Sequence, residues 1–172
     1  MNADVDEKRD AGDSRVLRVT EGVARRALES DVQALVELRE HMFAAMGVTG
    51  SDPTWRENAH AWFSSRLEDP NYHFAVVEVA GTVVACAVGA VRDAAPSPAV
   101  PEGRDVLVNN VCTAPPFRGL GYGRMAFDSV MVWARELGIG RAELMATTVG
   151  RSMYERAGFH DTSFPAMRAR LV

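Results

Sequence analysis

The sequence predicts a mixed α/β domain built on a mostly antiparallel sheet with helices on both faces. Three observations carry this. Two β-branched runs meet at a tight Ala80-Gly81 junction, two earlier stretches repeat apolar residues at spacings of three and four, and a glycine turn leads a later strand into an apolar helix. The expected order is strand, two helices, three strands, helix, strand, helix, strand.

Residues 1–20 are polar and mixed in charge, with little to bury, and are expected to form a flexible leader before a single domain over 21–172. Val23 to Leu28 is a short strand. Ser30 or Asp31 can cap the helix that follows, whose Val32, Leu35, Leu38, Met42 and Met46 share one face before Gly47 ends it. Asp52 or Thr54 can cap a second helix with Trp55, Ala59, Trp62 and Phe63 on its inner face, stopped by Pro70. The hairpin runs from Tyr72 to Arg92. The three prolines of the loop from Asp93 to Gly103 keep it irregular, and Asp105 to Thr113 is the next strand.

After the glycine turn comes a helix from Tyr122 to Leu137. Met125, Phe127, Val130, Met131 and Trp133 make it apolar on most sides, as suits a helix buried against the sheet. Arg141 to Thr147 reads as a strand, Val149 to Gly158 as a short helix, and Pro165 to Val172 as a closing strand.

At 172 residues, 47% hydrophobic and 24% charged, the chain has material for one core. A formal charge of -4 gives no broad basic field, which argues against nucleic-acid binding. No run reaches the roughly 20 apolar residues of a membrane span, and the N-terminal stretch lacks a secretory apolar core. Cys86 and Cys112 are not at metal-ligand spacing, so packed, reduced thiols and no metal are expected. The protein is expected in the cytoplasm, with no membrane partner.

The segment FRGLGYGRM, Phe117 to Met125, sets two arginines around three alternating glycines at a helix start. Bare backbone amides and the positive end of a helix suit an anion, because glycine lets the chain approach it closely. A P-loop is excluded: there is no lysine, and no hydroxyl for magnesium. A dinucleotide fold is excluded by context, since the glycines run G-x-G-x-G after the fourth strand, not G-x-G-x-x-G after the first.

The segment instead resembles the acetyl-CoA signature of the Gcn5-related N-acetyltransferase (GNAT) family, Arg/Gln-x-x-Gly-x-Gly/Ala. Here it stands as Arg118, Gly119, Leu120, Gly121, Tyr122 and Gly123, with Arg124 following. Val111 to Pro115 resembles the exit of the family's central strand, and MYERAGF, Met153 to Phe159, its later signature. The resemblance covers roughly residues 22–172 and implies a GNAT-like domain whose sheet splays at the acetyl-CoA site. It implies acetyl-CoA as co-substrate, with amides of Gly119 to Gly123 and the charges of Arg118 and Arg124 on the pyrophosphate. Main-chain groups of Val111 and Thr113 would take the pantetheine, with an oxyanion donor near Cys112.

The resemblance further implies transfer of acetyl to a primary amine of a small molecule by direct attack in a ternary complex, with Tyr154 as general acid. The family's usual base positions fall on Leu107 and Asn109, neither of which accepts a proton at neutral pH. Deprotonation through a water held by Asn109, or by His41, Glu40 or Glu143, remains open. Thr147 stands where the family has Asn, and Gly150 where Ala is common. Cys112, with no histidine at recognisable spacing, reads as a packed thiol, not a nucleophile.

The family grips its acceptor with the first two helices and the loop before the central strand. Here these offer Met42, Phe43, Met46, Trp55, Trp62, Phe63 and Asp93 to Gly103, although helical spacing alone reads most of the aromatics and methionines as core. Carboxylates are scattered, so a small amine with an apolar part fits better than a polycation. Acetylation of a protein and a CoA-binding module without catalysis are the competing readings, and a homodimer is left open.

Overall fold

The computed structural model describes residues 21–48, 50 and 52–171; the leader expected over 1–20 lies outside them. The element order is β1 (Val23–Arg26), α1 (Val32–Ala45), α2 (Thr54–Ser64), β2 (Tyr72–Val79), β3 (Thr82–Asp93), β4 (Arg104–Thr113), α3 (Tyr122–Glu136), β5 (Ala142–Leu144) and α4 (Arg151–Glu155). Five strands form one sheet in the order β1-β2-β3-β4-β5. The first three pairings are antiparallel and the last, β4 with β5, is parallel.

The β2–β3 hairpin closes through Ala80 (φ 49) and Gly81 (φ 79), a two-residue turn of the kind whose twist matches the strands. Both of its strands are apolar on either face, because helices cover both sides. Ala75, Val77, Ala85, Ala87, Val106 and Val108 face α3, where Ala126, Phe127 and Val130 are fully buried. Phe74, Val76, Cys86 and Val88 face α1 and α2, against Leu35, Leu38 and Phe63. Gly89 lets α3 lie close: a Cβ there would sit 2.7 Å from both Trp133 and Val130.

Three local differences from the sequence reading have clear causes. Val36 is buried with the inner face of α1, and Met46 is half-exposed because α1 ends at Ala45, just before it. Asp31 does not cap α1; it accepts the Leu28 amide (2.8 Å) and pairs with Arg25 (2.6 Å), bracing the chain before the helix. The expected closing strand is absent among the described residues 165–171. Its alternation is real, but a strand needs an edge to pair with, and β5 offers only three residues. Phe164, Met167 and Leu171 accordingly stand exposed.

Two irregularities in β4 position the site. Between the pairs Cys86↔Cys112 and Val88↔Asn109, β3 contributes Ala87 alone while β4 contributes Asn110 and Val111. This is a bulge, with Asn110 at φ 49. On the other side, β5 pairs only with Val106, Leu107 and Val108, so Asn109 to Thr113 run on without a β5 partner. The sheet opens there. At its closed end, buried Asp105 accepts from Arg92 of β3 (2.6 Å) and from Arg141 just before β5 (2.8 Å), and Glu143 also holds Arg92 (2.5 Å). Burial pushes the Asp105 carboxyl up, but the two guanidiniums more than offset it and hold it below the usual range.

Candidate active site

The open end of β4 leads through Ala114 and a short 3-10 turn, Pro115–Phe117, into the glycine turn and α3. Gly119 (φ 77) and Gly121 (φ 86) both lie in the left-handed region, and Gly121 is the residue on which α3 begins. A Cβ on either would meet open space. Conformation, not crowding by the protein, therefore requires glycine at 121. Gly123 differs: its Cβ would lie 2.8 Å from the Thr113 hydroxyl. That glycine is required by the packing of α3 on the end of β4.

The amides of Gly119, Leu120, Gly121, Gly123 and Arg124 make no hydrogen bond among the described residues, and Met125 is the first to close onto Gly121 (3.0 Å). These are the unpaired N–H groups of a helix start, a geometry that fits an anion. Tyr122 contributes only main chain to this turn. Its side chain is buried in the α3 core, tilted against Phe117 with ring centroids 6.4 Å apart, while Leu120 is exposed.

The two arginines are not equally available. Arg118 is exposed, and its Nε donates to the Thr113 carbonyl (3.1 Å), so its guanidinium rests at the open edge of β4. That carbonyl is therefore engaged, not free as the sequence reading had it. Arg124 turns its Nε to both Asp128 carboxylate oxygens (2.7 and 2.8 Å), a neighbour one helical turn along. Its charge is largely answered locally.

Cys112 pairs with Cys86 in the β3–β4 ladder, and Ala114 donates to Val84 (2.8 Å). The alternation of an antiparallel ladder then turns the main chain of Cys112 toward β3 and that of Thr113 toward the gap. An oxyanion donor at Cys112 is not supported by this arrangement. The Cys112 thiol is buried, and burial pushes it up, with Arg118 pulling the other way. Val111 packs its side chain against the α3 core.

Tyr154 lies on α4 with its ring edge-on to Phe127 (5.4 Å) and near Phe159 (6.3 Å). Ala157 and Phe159 both donate to the Tyr154 carbonyl (2.9 and 3.0 Å), with Gly158 at φ 92. The MYERAGF stretch is thus a helix end folded back so that two rings grip α3. The Tyr154 hydroxyl has no partner among the described residues, and burial raises the phenol above 10.0, keeping it protonated at neutral pH. Gly150 leaves room for this ring, since a Cβ there would lie 3.2 Å from it, and Thr147 holds the Gly150 amide with its hydroxyl (3.2 Å).

Asn109 does not share Tyr154's cluster. With Leu107 it lines a cavity of about 970 Å3 between α1, α2 and strands β2 to β4. Phe43, Trp55, Trp62 and Phe63 line it, with Phe63 also buried in the core that Trp55 and Trp62 pack against. Met42 packs into the core behind it, and the loop from Asp93 to Gly103 folds on itself through Ala94–Gly103 (2.7 Å) and does not reach it. Of the alternative bases, Glu40 is ion-paired with Arg56, which holds its carboxyl below the usual range, and Glu143 is held by Arg92. His41 is absent from the lining.

The cavity also holds residues the sequence reading missed: Arg39, Tyr72, Arg92 and Asn110. Arg39 had a signal, because it falls four residues after Leu35 and four before Phe43, on the inner face of α1. Asn110 had none; its placement depends on the bulge.

The sequence profile of the Acetyltransferase (GNAT) family matches residues 33–159. The chain belongs to this family. Among solved structures, a predicted acetyltransferase with acetyl-CoA from Clostridium acetobutylicum superposes with a TM-score of 0.79 at 24% identity, covering 87% of this chain and 96% of that one. A GCN5-related N-acetyltransferase from Ralstonia eutropha JMP134 gives 0.74 at 25% identity, over 87% and 99%. The aminoglycoside N-acetyltransferase AAC(6')-Iy in complex with CoA gives 0.72 at 14% identity, over 91% and 99%. No curated protein matches the sequence. The mixed sheet open beside β4 is thus the GNAT fold, and GNAT relatives of the same fold are crystallised with acetyl-CoA or CoA. No helix among the described residues is long and apolar enough to cross a membrane.

Proposed function

We propose that this GNAT protein is a cytoplasmic, acetyl-CoA-dependent N-acetyltransferase that acetylates the primary amine of a small molecule by direct attack in a ternary complex. One observation carries the reading: the unpaired amides before α3 and the cavity under α1 and α2 converge on the same stretch of β4, Asn109 to Thr113, where β5 no longer pairs. Two ligands bound on either side of that strand end would meet at it.

Acetyl-CoA would supply the activated acyl group. Gly119, Leu120, Gly121, Gly123 and Arg124 would offer their amides to its pyrophosphate, with Arg118 adding charge. Val111 and Thr113 would offer main-chain groups to the pantetheine arm, Arg118 then exchanging its bond to the Thr113 carbonyl for one to phosphate. The amine enters from the cavity, where Asn109 orients it or a water beside it. Tyr154, held neutral by burial, would give its proton to the departing thiolate. A phenol above 10 giving a proton to a thiol near 8.5 transfers uphill, so placement must supply the advantage.

The test is release of free CoA thiol from acetyl-CoA with a panel of small primary amines, alongside calorimetry of acetyl-CoA itself. Amine-dependent thiol release is expected. Saturable acetyl-CoA binding with no release for any amine would instead indicate a binding module, and no binding at millimolar concentration would overturn the cofactor assignment.

A further inference from the structure

Three arginines and one carboxylate line the cavity: Arg39, Arg56, Arg92 and Glu40. Arg56 is paired with Glu40, and Arg92 with Asp105 and Glu143. Arg39 has no carboxylate partner among the described residues. It projects from α1 over the Phe43 ring, 4.7 Å from its centroid, and donates through Nη1 to the neutral side-chain oxygen of Asn110 on the β4 bulge.

This arrangement is costly for the free protein. Arg39 is half-buried, and burial pulls the guanidinium below its ordinary value, the direction that marks a charge short of compensation. A guanidinium does not escape by losing its proton at physiological pH, so the cation stays, met only by neutral partners among the described residues. Two fixed contacts, the Phe43 ring and Asn110, hold the fork in place, which reduces the entropy lost when it binds. Beside it lie Trp55, Trp62 and Tyr72, an apolar wall with no further acid. A polycation would find no unpaired carboxylate here, since Glu40 is held by Arg56.

Building on the acetyltransferase reading, we propose that the acceptor is an amine that also carries a carboxylate, an amino acid with an apolar or aromatic side chain, its carboxylate paired with Arg39 and its side chain on the aromatic wall. The carboxylate pinned at Arg39, next to Asn110 and Asn109, places the amine at the opening of β4. Arg39 is then the residue that selects for the acid.

The experiment follows binding without turnover, by the fluorescence of Trp55 and Trp62 in the full-length protein saturated with CoA. The probes are L-phenylalanine, L-tyrosine, L-leucine and L-methionine, each beside its carboxamide, with spermidine, kanamycin and glucosamine 6-phosphate as the remaining arms. At least one acid is expected to bind 10-fold or more tighter than its carboxamide. Arg39→Gln should weaken that acid by about 10- to 100-fold while changing the carboxamide less than 3-fold, and Arg39→Lys should recover part of the loss. Carboxamides binding as well as all the acids, equal losses for both in Arg39→Gln, tightest binding by a polycation or by the sugar phosphate, or no binding by any acid would each overturn the proposal. The wild-type acid-to-amide ratio decides the matter even if a variant fails to fold. Calorimetry with acetyl-CoA reports separately on the reading beneath it: acetyl-CoA binding without acid binding sinks the acceptor proposal alone, and acid binding through Arg39 without acetyl-CoA binding sinks the acetyltransferase reading alone.

Discussion

Tyr154 meets Phe127 edge-on, ring centroids 5.4 Å apart at 64°, so the ring has a packing role that does not involve its hydroxyl. Tyr154→Phe separates the two roles. It should keep the melting temperature within about 2 °C, leave acetyl-CoA affinity unchanged within twofold, and lower kcat by about 100-fold if the hydroxyl is the proton donor. Because burial raises the phenol above 10.0, loss of the donor should appear only as a limb on the far alkaline side of the wild-type pH profile. Wild-type kcat in the variant at every pH would remove Tyr154 from the chemistry.

Gly121 and Gly123 should fail for different reasons. Gly121→Ala places a side chain in open space but at φ 86, at a cost of about 1–2 kcal/mol, and it disturbs the amides that precede α3. Acetyl-CoA affinity should fall by more than the stability loss suggests, about 10-fold by calorimetry.

Gly123→Ala instead meets the Thr113 hydroxyl at 2.8 Å and should destabilise by about 1–3 kcal/mol. Adding Thr113→Ala should return part of that loss. A double-mutant cycle by urea unfolding measures the coupling, and strict additivity would show that the contact is not what excludes a side chain.

His73 makes stability depend on pH. Burial, then the nearby charge of Arg26, lowers it from 6.5 to about 4, with Nε2 on Ser129 (3.0 Å), Nδ1 without a partner among the described residues and the ring stacked on Trp133. The unfolded chain takes up this proton below 6.5 and the folded one only near 4, so stability is complete above 6.5 and is lost as pH falls between them. With its partial exposure the loss should be about 2 kcal/mol. His73→Phe keeps the stack and should flatten unfolding free energy across that window; an unchanged slope would assign it to other groups.

Much of this molecule is legible in the sequence because its cause is local. The turn at Ala80-Gly81, the apolar face of α3 from Phe127 to Trp133, and the left-handed glycines before it are each set by a few neighbouring residues. The turn of unpaired amides was readable for the same reason. The Arg39–Asn110 contact was not, because it joins residues far apart in sequence through a bulge that nothing local announces. Tyr122 marks a different limit. It sits inside the signature, yet its ring belongs to the core, since a motif lists positions without saying which contribute side chains. The tail from Pro165 had the right alternation but no edge to complete.

Asp105 ties β3, β4 and the start of β5 together through Arg92 and Arg141, at the far end of β4 from the glycine turn. It works as the rivet of a pair of tongs, with the strands paired as far as Val108 and parted beyond it. Loosening that rivet, as Asp105→Asn would, should spread or misalign the jaws and weaken acetyl-CoA binding from a residue remote from the proposed cradle.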